Sequence, residues 1–89
     1  MQLALVVGFA ESTAIRCAQH LGGAGFVVTR AAHGPLACER AKHLRPHLIV
    51  VSRSLWSSEK RALLDAAKAL AVRVVEASDA SEIDLALAR

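Results

Sequence analysis

Four short apolar runs alternate along the chain with stretches whose apolar positions recur at helical spacing. The run 3–7 is continuous, rich in valine and leucine, and stopped by Gly8. A run so short with no polar alternation predicts a strand buried on both faces. Glu11 or Ser12 then opens a helix through Ile15, Ala18 and Leu21, and Gly22, Gly23 and Gly25 supply left-handed residues to stop it. The run 26–29 predicts a second strand. Gly34-Pro35 marks the next helix start, where the missing proline N–H costs nothing. Leu36, Ala37, Ala41 and Leu44 form that helix's apolar face, and Pro46 ends it. The clearest strand is 48–51, flanked by proline and a Ser-Arg-Ser loop. Ser57 or Ser58 caps a third helix with the stripe Leu63, Leu64, Ala67, Leu70 and Ala71. The run 72–75 predicts the fourth strand. Asp79, with Glu82 three residues on, resembles a capping box for a final helix over 79–88 through Ile83, Ala86 and Leu87.

Strands alternating with helices through connections of about two to six residues predict parallel βαβ units, hence an α/β fold with one open parallel sheet. Right-handed crossovers place helices on both faces. The working crevice of such a sheet lies beyond the carboxyl ends of its strands, here around residues 8–12, 31–34, 52–57 and 77–79. With 89 residues the chain builds one hydrophobic core, so residues 1–89 read as a single domain. A composition 54% apolar and 21% charged excludes intrinsic disorder. The absence of tyrosine excludes chemistry that needs a phenol.

The net charge of +3 permits contact with nucleic acid without requiring it. Its distribution is uneven. Residues 40–61 hold six Lys and Arg against Glu59 alone, whereas the segment from Glu76 onward holds four acids against Arg89. One region suits an anionic partner and the other a cationic one. Two cysteines without a secretory leader predict a reducing, cytoplasmic compartment. No stretch approaches the roughly 18 continuous apolar residues of a spanning helix, so no membrane partner is expected.

The stretch Gly25-Phe-Val-Val-Thr-Arg-Ala-Ala-His-Gly34, then residues 37–41, then Pro46-His-Leu-Ile-Val-Val-Ser52, resembles receiver domains of bacterial response regulators. The similarity covers roughly residues 3–78. It implies a flavodoxin-like sheet of order 2-1-3-4 that stops short of the family's fifth βα unit. The family's Mg²⁺-binding acidic pair falls on Gly8 and Phe9, which offer no side-chain oxygen. The phosphoacceptor position falls on Ser52, which has no carboxylate to form an acyl phosphate. Ser78 retains the hydroxyl after the fourth strand, the family lysine has no counterpart, and Trp56 stands where proline is usual. Glu11, near the lost acidic pair, matches a helix N-terminal acid better than a metal ligand. The resemblance thus implies a degenerate receiver that is not an enzyme and holds no metal or cofactor.

Residues 5–13 are similar to a dinucleotide-binding turn, with Gly8 in the first glycine position, Ala10 and Thr13 in the others, and Arg30 where a 2′-phosphate would be held. A small nucleotide- or nucleic-acid-binding module is therefore the alternative. Arg40, Lys42 and Arg45 are its candidate anion-binding residues, although a helix C-terminus favours cations in any case. His43 and His47 have ligand-like spacing but no third ligand. Cys17 and Cys38 lie on helices expected to cover opposite faces, so they read as unpaired core thiols.

The chain stops after its fourth unit, which leaves the strand 72–75 as an edge. Val72, Val74 and Val75 are expected to present open backbone groups beside apolar surface. Either a second copy adds edge to edge, or the final helix is displaced onto a partner. The expected function is a phosphorylation-independent interaction module for signalling, self-associating or bound to another protein, with Trp56 as anchor.

Overall fold

Each apolar run forms a strand: residues 4–7 and 48–52 are covered on both faces, as continuous apolar runs require, while the runs near 26–29 and 73–75 form half-covered edges. The computed structural model describes residues 2–87, with side chains through residue 83. The elements are β1 (Gln2–Val7), α1 (Glu11–Gly23), β2 (Phe26–Ala31), α2 (Gly34–Leu44), β3 (Leu48–Ser52), α3 (Ser57–Leu70), β4 (Arg73–Ala77) and α4 (Ala80–Leu87). All strand pairs are parallel, in the order β2-β1-β3-β4. The fold is therefore α/β, an all-parallel four-stranded sheet flanked by helices in the flavodoxin-like manner.

The pleat divides the core into two layers. Ala4, Val6, Val50, Val75 and Ala77 face α1 and α4, which contribute Ala14, Cys17, Leu21 and Ile83. Leu5, Val7, Ile49 and Val51 face α2 and α3, which contribute Ala37, Ala41, Leu63 and Ala67. Cys17 and Cys38 are thus free thiols on opposite faces of the sheet. The helix α4 packs on its own sheet beside α1, so it is not displaced. No helix among the described residues is long and apolar enough to cross a membrane.

Several helix faces and ends differ from the sequence expectation. Ile15, Leu44 and Leu64 are exposed and Ala14 is buried on α1 instead, whereas Cys17, Leu21, Ala37, Ala41, Leu63 and Ala67 are buried as expected. Small residues take the line of closest approach because they let a helix axis settle onto the sheet, and the larger residues beside them turn outward. The helix α1 starts at Glu11 with no side-chain cap and runs through Gly22 and Gly23. Its left-handed residue is Gly25, at φ +95°. His33 caps α2, its Nδ1 accepting from the Leu36 amide at 3.2 Å. Trp56, not Ser57 or Ser58, holds the cap position of α3 and supplies no side-chain bond. The strand β4 begins at Arg73, because the Val72 amide donates to Ala67 O at the end of α3. Asp79 and Glu82 both cap the start of α4, but Glu82 reaches back to Ser78 rather than to the Asp79 amide of a capping box. Asp79 Oδ1 accepts from the Ser81 amide and hydroxyl, and Glu82 Oε1 accepts from the Ser78 amide. Residue 88 and the side chains of Ala86 and Leu87 lie outside the described residues.

Candidate functional site at the carboxyl ends of the strands

The order β2-β1-β3-β4 makes the chain reverse direction across the sheet between β1 and β3, and there the ends of neighbouring strands normally leave a crevice. Gly8 ends β1 with φ +80°, and its amide donates to Ala31 O at 3.1 Å. A Cβ at Gly8 would stand 2.9 Å from Leu55 Cδ1. Leu55 therefore lies directly against Gly8, and Gly8 is required for a tight turn and a close approach. Phe9 packs half-buried against the α1 layer. Sequence reading missed Leu55 because nothing marks a loop leucine for such a contact.

Ser52 ends β3 with 5% of its surface exposed. Its Oγ lies 2.7 Å from Ser54 Oγ and accepts from the Ser54 amide at 3.2 Å. The Leu55 amide donates to Ser52 O, and the Arg53 amide to Ala77 O. The loop thus folds back over Ser52.

Ser78 follows β4, one residue beyond the Ser52–Ala77 pair of the sheet register. Its amide is held by Glu82, whose other carboxylate oxygen accepts from Arg53 Nε at 3.0 Å and Nη2 at 2.8 Å. Those bonds, Arg53 first and the Ser78 amide second, hold the Glu82 carboxyl below its ordinary range. Lys60 Nζ pairs with Glu76 Oε1 at 2.9 Å and donates to Arg53 O at 3.2 Å. The basic and acidic segments of the sequence therefore meet each other within the fold. Part of the charge that suggested two external partners is neutralised internally.

The helices α2 and α3 approach closely at Gly34, where a Cβ would stand 2.6 Å from Glu59 Cβ. Glu59 Oε1 accepts from the Gly34 amide at 3.2 Å. Beyond this contact the α3 N-terminus opens outward. Trp56 is 78% exposed, and a groove of about 540 Å³ lined by Ser57, Ser58, Lys60, Arg61 and Leu64 runs beside it.

The three cations proposed at α2 are split. Arg40 Nη1 donates to Arg30 O at 2.8 Å, at the edge of β2. Lys42 is exposed, and Arg45 forms the left-handed end of the helix at φ +48°. His47 serves the backbone, its Nδ1 accepting from the Leu3 amide at 3.2 Å while its own amide donates to Leu3 O at 2.8 Å. His43 is exposed. No group of three His, Cys, Asp or Glu residues suited to a metal occurs among the described residues.

The valines expected at the open sheet edge, Val72, Val74 and Val75, are more covered than expected. Val72 and Val74 pack against the α3 layer, and Val75 is 8% exposed. The open feature of that edge is backbone flanked by the exposed Arg73 and Glu76. Burial raises the thiol pKa of Cys17, helped by the charge of Asp79, and burial also raises that of Cys38. Both shifts favour the thiol over the nucleophilic thiolate. A scan against protein-family models found no match for the chain, and a search of the curated proteins found none either.

Proposed function

We propose that this chain is a phosphorylation-independent receiver-like module that works by protein–protein contact and self-associates through the N-terminal face of α3. The observation that carries this reading is Trp56, 78% exposed on a molecule with no other tryptophan. Leaving an indole in water forgoes a large apolar contribution, and tryptophan is enriched among residues that dominate interfaces. The adjoining groove ends at the half-exposed Leu64 and has room for an indole. Anchor and groove on one face make that face self-complementary, so a two-fold axis seats each Trp56 in its partner's groove. The Leu55 side chain packed against Gly8 and the internally bonded Ser52 support a role without phosphotransfer.

A concentration series joining light-scattering mass with tryptophan emission tests the proposal. Dimer mass should rise together with a blue shift of emission, because Trp56 is the only reporter. Trp56→Ala should remain monomeric with an unchanged circular dichroism spectrum. A monomer with water-like emission at millimolar concentration would refute self-association. Labelling by a small phosphodonor with Mg²⁺ would refute the phosphorylation-independent reading.

A further inference from the structure

A second recess, separate from the Trp56 face, wraps the carboxyl end of the edge strand β2. Its volume of about 690 Å³ falls within the roughly 300–1,000 Å³ of small-molecule sites. Its lining combines the apolar Phe9 and Val28, the Thr29 hydroxyl and the charged Arg30, Arg40 and Glu11.

The arginines are placed by the topology. Because β2 is an edge, the Arg30 carbonyl has no neighbouring strand to pair with, and Arg40 reaches across from α2 to donate to it at 2.8 Å. One donor of the fork anchors the guanidinium while the others stay available. Arg30 makes no ion pair or side-chain hydrogen bond among the described residues, and its charge shares the recess with that of Arg40. Two guanidiniums against one carboxylate give the lining a net positive charge, and such forks match phosphate oxygens in pairs. Phe9 and Val28, on the α1 side of the edge strand that the recess wraps, suit a flat ring rather than a bare ion.

We infer that this recess binds a phosphate monoester carrying a flat ring, with the phosphate on Arg30 and Arg40 and the ring against Phe9 and Val28. Glu11 turns away polyanions and accepts from a hydroxyl or amino group on the ring or its sugar. Nucleotides and simple aryl phosphates share this chemistry, and two probes separate them.

Amide chemical shifts and melting temperature should be followed during titration with adenosine monophosphate, with 1-naphthyl phosphate, and with inorganic phosphate and adenosine as controls. At least one ester should shift the amides of residues 9–11 and 28–32 and raise the melting temperature. Inorganic phosphate and adenosine should each bind at least about tenfold more weakly, since each lacks half of the recognition. A nucleotide preference assigns the Glu11 contact to the sugar or base, and an aryl phosphate preference assigns the site to simple esters. Arg40→Gln should weaken the ester by about tenfold. Arg30→Gln, which removes no bond from the fold, should do the same if Arg40→Gln proves unstable. Equal binding of inorganic phosphate, shifts confined to other residues, or an Arg30→Gln variant with undiminished affinity would each overturn the inference.

Discussion

Gly8 is the residue on which the carboxyl rim turns. Its backbone lies where an L side chain is strained, and the space a Cβ needs is already held by Leu55. Gly8→Ala should lower stability by about 2 kcal/mol in urea denaturation, from the positive φ and the contact together. The two causes separate in a double-mutant cycle. Adding Leu55→Ala should recover the steric part and leave the backbone part, whereas strict additivity would show that Leu55 does not press on Gly8. The glycine was legible in the sequence as a candidate site position, but its reason was not. A missing side chain reads alike whether the space beside it holds a ligand or a leucine 47 positions further on.

At the scale of elements, strands were easier to read than helix faces. A parallel strand buried on both sides writes itself as an unbroken apolar run, and β3 is buried at all five positions. A helix lying on a sheet writes its contact line partly in leucine, as at Leu21 and Leu63, and partly in alanine and cysteine, which hydropathy ranks below the outward Ile15, Leu44 and Leu64. Caps divide in the same way. The Asp79–Glu82 start of α4 was legible because its chemistry is local, while the His33 cap of α2 uses a residue seldom chosen for that task. The α4 cap also has a definite pH response. Asp79 is held below its ordinary range first by the Ser81 hydroxyl, and Glu82 first by Arg53. Carboxyls lowered by folding bind protons more readily in the unfolded chain. Their contribution is complete above the ordinary carboxylate range and is lost as pH falls through the lowered values. The melting temperature should hold down to about pH 5 and fall below about pH 4. Asp79→Asn with Glu82→Gln should flatten that fall. An unaltered slope would show that other carboxylates govern it.

For the molecule as a whole, the sequence showed the order and facing of the layers but not how its charges are spent. Lys60 with Glu76 and Arg53 with Glu82 join segments 16 and 29 residues apart, and no local pattern marks such pairs. The two faces of the sheet were legible, and they give the thiols different fates. Cys17 is fully buried under α1, and Cys38 is half-buried under α2. A disulfide reagent should therefore modify Cys38 first, and Cys17 only when its layer opens. Equal rates would show that α1 detaches as readily as α2 breathes. One strand connects these events. With β1 on one side, β4 on the other and helices over both faces, the amides of β3 meet solvent only when the entire structure comes apart. Their deuterium uptake is then a built-in clock for global opening. Any ester or second copy that binds the folded state must slow that clock by a factor set by its affinity and concentration.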